Sequence, residues 1–307
     1  MSLQRALRYR LSALAAAALV SATATSASAQ APAPDPAEAD DPNPGSITMT
    51  AGLDVVNAYM FRGIKQEATD VISWPYLDLG VALWSADEGA LRSVGLNLGV
   101  WNSLHAGATG VAGPSGKLWY EGDFYGSLAL GFAGGVSLGT TYTAYTSPNN
   151  SFSTVKEMAF KLGIDDTPLL GVAAVRPYAL VALEIDTAPG AGQADAGSKA
   201  GRYLEVGAAP GWAVDKLALA FPMKVGMSLG DYYELNTGTV ARPVFVDNRF
   251  GFFSVAGIVT VPLGGTTRAG TWNIHGGVEY QALGNTTKVI NGKSSRTIGS
   301  FGFGVVY

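Results

Sequence analysis

Eight carboxylates stand singly among apolar and small residues along this chain, where charge is costly unless it has a task. They are Asp54, Asp78, Glu121, Asp123, Glu157, Glu184, Glu205 and Glu279, with Arg62, Lys161 and Lys224 as basic counterparts. Each falls inside or near the rim of a segment whose opposite face is apolar. Rings of carboxylates favour cations, so one reading is a small acidic pore lined by these residues. The other is that acids and bases pair across the interior and plug it. Trp74, Tyr76, Trp84, Trp101, Trp119 and Tyr125 fall on the same inward parity. There they either stack on a sugar or nucleoside or fill a small lumen. Arg62 could line a constriction, bind an anionic solute, or pair with a nearby carboxylate such as Asp54 or Asp78.

Other chemistries find less support. A hydrolase needs a serine activated by a histidine whose imidazole is oriented by a third group. The chain has two histidines, His105 and His275. Ser103 is close to His105, but no G-x-S-x-G elbow surrounds that serine. With no cysteine, no H-x-x-x-H and no EF-hand loop, no metal site is expected. Gly302-Phe303-Gly304 is not followed by a helical pattern and is no nucleotide fingerprint, so no cofactor is expected. A net charge of −4 gives no basic footprint for nucleic acid.

The elements that position these residues alternate with a period of two. In 271–282, Trp272, Ile274, Val278 and Tyr280 alternate with Asn273, His275, Glu279 and Gln281. The stretch 217–229 sets Leu217, Leu219, Phe221, Met223, Val225, Met227 and Leu229 against Ala218, Ala220, Lys224 and Ser228. Segments 158–164, 94–100 and 75–83 behave likewise. The last one, TIGSFGFGVVY, places Phe301, Phe303, Val305 and Tyr307 on one face and Ser300, Gly302 and Gly304 on the other. A terminal strand ending on an aromatic suits recognition by the barrel-assembly machinery. Hydrophobic residues make up 48 % and charged residues 14 %, yet no long apolar run follows the N-terminus, which disfavours spanning helices. Backbone polar groups in lipid must then be satisfied by a closed sheet.

The predicted fold is all-β: a transmembrane antiparallel β-barrel of about twelve strands over 47–307, with both termini periplasmic. Residues 1–29 read as a secretory signal peptide, from basic Arg5, Arg8 and Arg10 through a short apolar core to Ala27-Ser28-Ala29. Residues 30–46, Pro-rich and acidic, read as a disordered periplasmic segment. Short turns are expected at 85–90, 133–135, 165–176, 214–216 and 263–270. Outer loops are expected at 62–71, 103–117, 146–154, 187–201, 231–249 and 283–296. The turn 165–176 is long and apolar for its place and could hide strand residues. An entry to an outer loop at 231–234 could touch lipopolysaccharide-bound cations.

The segment 57–66, NAYMFRGIKQ, and the later Gly99-Val100-Trp101 resemble the Gcw-type conserved hypothetical proteins of bacteria. Members carry a tyrosine followed by FRGI-(S/T)-Q and then a GVW-like strand; Lys65 stands here at the Ser/Thr position. The likeness covers about the first third of the barrel. It implies an envelope location and a barrel fold, and brings no substrate or catalytic residue. The expected function is a narrow, porin-like passive channel for small solutes in the bacterial outer membrane. Its partners would be membrane lipid, lipopolysaccharide and the solute. A non-conducting barrel with structural or adhesive outer loops is the alternative, and an outer-membrane lipid hydrolase a more distant one.

Overall fold

The computed structural model describes residues 45–185, 199–265, 267 and 269–307. The expected signal peptide and most of the Pro-rich segment lie outside these residues, as does much of the stretch 187–201 where an outer loop is expected. Strand β1 (Ile47–Val56) leads into a small hairpin, β2 (Tyr59–Phe61) and β3 (Ile64–Glu67). Five long strands follow: β4 (Ile72–Ser85), β5 (Leu91–His105), β6 (Trp119–Phe132), β7 (Val136–Thr146) and β8 (Val155–Ile164). Then come β9 (Tyr178–Glu184), β10 (Arg202–Ala208), β11 (Gly211–Val214), β12 (Leu217–Ala220) and β13 (Met223–Gly230). A second small hairpin, β14 (Glu234–Asn236) and β15 (Phe245–Asp247), precedes β16 (Phe250–Pro262), β17 (Thr271–Leu283) and β18 (Ser295–Val306).

Fourteen of these strands form one antiparallel sheet, which closes because β16 also pairs with β17. Pro210 separates β10 from β11 and Pro222 separates β12 from β13, since proline has no N–H to give the ladder. Across each gap the register continues: Ala208 opposes Met223, the Phe221 N–H meets the Pro210 carbonyl at 2.8 Å, and Gly211 opposes Ala220. The wall therefore has twelve strands, as the alternation predicts. β1 pairs with β18 so that Thr50 opposes Val306, which puts the start and finish of the wall at the same end of the molecule, here the terminal end. Five connections gather there and six, mostly longer, at the opposite loop end.

The two faces of the wall are chemically opposite. Outward residues such as Leu98, Leu162, Val278 and Phe301 are 51–60 % exposed, while Asp78, Asn97, Ser127, Lys161, Glu205 and Glu279 point inward and are buried. An apolar outside around a polar inside is a surface made for lipid. Glycines let large inward rings lie against the wall. A side chain at Gly52 or Gly99 would overlap the ring of Tyr76 or Tyr125, each directly opposite across the ladder.

Four expectations need correction. Trp84 does not face inward: an extra residue at Leu83 makes a β-bulge, so Trp84 opposes outward Val94. Trp119 is turned outward by a second bulge at Tyr120, which places it opposite Leu104. Both indoles are nearly half exposed, and Tyr120 takes the inward place. The connection 62–71 is not simply an outer loop, because it turns back into the lumen as the β2–β3 hairpin. The apolar stretch in 165–176 hides no strand. Asp166 accepts the Val175 and Arg176 N–H groups, folding the turn over a helical turn, Thr167–Leu170, and a 3-10 turn, Gly171–Ala173.

Candidate functional site

The β2–β3 hairpin is a sheet of its own, inserted inside the wall near the loop end. Phe61 opposes Ile64 across a two-residue turn in which Arg62 and Gly63 have φ of 45° and 80°. Two left-handed residues are what a tight hairpin turn asks for. Glycine adopts that conformation freely, whereas an arginine there costs about 1–2 kcal/mol. The contacts of Arg62 offset that cost. Its guanidinium donates to both carboxylate oxygens of Glu157 on β8, at 2.6 and 2.9 Å, and to the Tyr232 hydroxyl at 3.0 Å. It also lies 4.1 Å from the centre of the Tyr203 ring. The Tyr233 hydroxyl donates to the Arg62 carbonyl at 2.8 Å, and the Asn291 amide to the Gly63 carbonyl at 2.7 Å.

Arg62 therefore pairs, as one expectation held, but with neither Asp54 nor Asp78. Asp54 meets His275 Nε2 at 2.7 Å, and the other ring nitrogen of His275 lies 2.9 Å from the Asn273 side-chain oxygen. Asp78 accepts from the Tyr125 hydroxyl and from Asn97.

The far side of the hairpin is held by aromatic packing. The Tyr59 ring sits 5.3 Å from Trp74 and 5.4 Å from Trp101, and its hydroxyl donates to Glu121 at 2.8 Å. Asp123, between Trp101 on β5 and Tyr145 on β7 in register, is buried with no hydrogen bond to either oxygen among the described residues. At the hairpin's base, Glu67 accepts from the Thr69 hydroxyl and from the N–H groups of Ala68, Thr69 and Thr109. Burial works against its charge, but these hydrogen bonds hold its carboxyl at about 2.

A further polar group lies closer to the terminal end. Glu205 accepts from the Tyr178 and Tyr203 hydroxyls at 2.7 Å and lies 3.5 Å from Lys224 Nζ. Lys161 stands 4.3 Å over the Tyr178 ring. Glu279 accepts from Gln281, and Glu184, opposite Glu157 at the loop end of β9, accepts from the Gly201 N–H. The interior is densest around the hairpin, where Met60, Tyr145, Tyr203, Tyr232, Tyr233 and Phe252 are 0–2 % exposed. Towards the terminal end packing loosens, and the side chains of Lys224 and His275 are 17 % and 20 % exposed.

Sequence reasoning missed the tyrosines that grip the hairpin. Tyr145 and Tyr203 lie on inward parity and could have been found by it. Tyr232 and Tyr233 sit in a connection, where parity says nothing.

Ser103 and His105 do meet, with Oγ 3.0 Å from Nδ1, but both are fully buried, and the other imidazole nitrogen faces Thr109 Oγ1, also at 3.0 Å. That leaves no carboxylate on the imidazole. Two G-x-S-x-G runs, around Ser137 and Ser228, lie in or at the ends of strands β7 and β13 and not in the strand-to-helix turn of a nucleophile elbow.

A closed antiparallel wall with a lipid-suited outside and a polar inside defines a transmembrane β-barrel of the outer-membrane type. No family model matches the chain, and no curated protein does. Among solved structures it is similar to the NanC porin, at 12 % identity and a TM-score of 0.38, over 85 % of this chain and 98 % of that one. It is similar to an outer membrane channel from Pseudomonas putida F1, at 11 % identity and a TM-score of 0.42, over 88 % and 100 %. Outer membrane phospholipase A from Escherichia coli is also similar, at 11 % identity and a TM-score of 0.43, over 83 % and 89 %.

Proposed function

We propose that this barrel is a narrow, cation-preferring channel for small solutes, non-enzymatic, and held closed at rest by the β2–β3 hairpin. The observation that carries the reading is a hairpin that is no part of the wall, stands inside it, and is pinned to it through the Arg62–Glu157 pair. Inward carboxylates outnumber inward bases, which supports the cation preference. The motif that carries the likeness to the Gcw-type proteins is this hairpin, so the FRGI signature reads as a plug. In this proposal the loop end faces outward among lipopolysaccharide, the terminal end faces the periplasm, and the strand ending at Tyr307 serves assembly.

Single-channel recording in planar bilayers tests it. The refolded chain should show rare, small steps, and a variant with 58–68 replaced by a short Gly/Ser linker should conduct steadily with a cation-leaning reversal potential. Silence from that variant, with folding shown by gel heat-modifiability, would favour the non-conducting structural barrel, a reading that the dense packing around the hairpin also supports.

A further inference from the structure

A shallow crevice opens at the loop end, between the hairpin and the connection from β17 to β18. Met60, Lys65, Leu283, Lys293, Ser295 and Arg296 line it, together with Asn291. Three of these side chains are cationic and none is a carboxylate. No described residue forms an ion pair with Lys65, Lys293 or Arg296. Arg296 donates only to a neutral carbonyl, that of Ala68, at 3.3 Å.

Lys65 is held in place by a specific contact. Asn291 accepts from the Lys65 N–H at 2.7 Å while its amide group donates to the Gly63 and Thr287 carbonyls. That amide thus fixes one cation of the hairpin beside two contributed by the connection and the start of β18. Like charges gathered at one crevice repel one another, and an anion placed among them reverses the sign of the interaction. None of the lumen carboxylates lines the crevice.

We infer that this crevice binds a phosphate-bearing anion. Two flexible ammonium groups, a guanidinium fork and the Ser295 hydroxyl offer more donors than a carboxylate's two oxygens can use, and they match a dianion with three outward oxygens. Such an anion would join Lys65 of the hairpin to Lys293 of the connection and Arg296 of the wall. The site stands whether or not the barrel conducts.

The test is calorimetric titration of inorganic phosphate into the refolded chain, in a detergent that carries no phosphate, against the Lys65→Ala/Lys293→Ala variant. Both lysines are exposed, so the variant should fold, and heat-modifiability checks that it does. Saturable binding is expected, with affinity falling about tenfold or more in the variant. A second arm measures binding of the same two proteins to vesicles containing lipid A or its dephosphorylated form. Preference for the phosphorylated form that disappears in the variant assigns the phosphate to membrane lipid. Indifference to the lipid alongside phosphate binding assigns it to a soluble ligand. Absence of saturable phosphate binding, or equal binding by the two proteins, overturns the inference.

Discussion

Arg62 combines an unfavourable backbone angle with a buried, doubly bonded ion pair, so its removal has separable effects. Arg62→Ala should lower stability by about 3–5 kcal/mol, because Glu157 is left charged and buried without its partner. Arg62→Ala/Glu157→Gln should recover part of that loss, and denaturant unfolding of the refolded proteins measures both. Arg62→Lys should fall between, since an ammonium cannot supply the forked pair or the stacking on Tyr203. Glu67 gives the pH dependence. Its carboxyl is held at about 2, against about 4.3 in an unfolded chain, so it stabilises the fold above that ordinary value. The contribution fades as pH falls towards about 2. Wild type should thus lose stability across that interval, and Glu67→Gln, weaker at neutral pH, should show a flatter profile there. A profile of equal slope in the two proteins would remove Glu67 from the account.

Among the elements, wall and plug divide cleanly. Every rung of the closed ladder lies outside β2 and β3, so replacing 58–68 should leave strand content by circular dichroism, and heat-modifiability, unchanged. Gly63 is the sensitive point of the plug. A Cβ there would stand 2.9 Å from that of Phe252, in a conformation that suits glycine, so Gly63→Val should undock the hairpin and raise conductance while the wall persists. The strands were legible in sequence because alternation survives wherever one face meets lipid and the other does not. The bulges at Leu83 and Tyr120 were not, since one inserted residue resets parity without any local signature. The hairpin escaped for a different reason. NAYMFRGI is apolar enough for a wall strand, and only the grip of Tyr232, Tyr233 and Glu157, distant in sequence, shows that it turns inward.

For the whole molecule, sequence composition and periodicity were sufficient to predict a closed membrane barrel, because lipid leaves few architectures that satisfy every backbone group. They also placed most of the charged residues on the inside. Which acid meets which base was not legible, as that depends on strand order around the circumference and on the depth of each residue. Selectivity belongs to this scale. Neutralising Asp78 or Glu121 in the hairpin-deleted barrel should move the reversal potential under a salt gradient towards zero, and an unchanged potential would show that the lumen charge does not select.

The turn over 165–177 has a consequence for how the barrel sits in its bilayer. Leu169 and Val172, 83 % and 82 % exposed, carry the apolar surface past the last rung beside Trp212, whose indole donates to the Val172 carbonyl, farther than any other turn at this end does among the described residues. The hydrophobic height of the molecule is therefore uneven around its girth. A bilayer answers such mismatch by local thinning or by letting the protein lean. The barrel should rest canted, with the turn sunk into the acyl region, and depth-dependent quenching should find Trp212 deeper in wild type than in a Leu169→Ser/Val172→Ser variant.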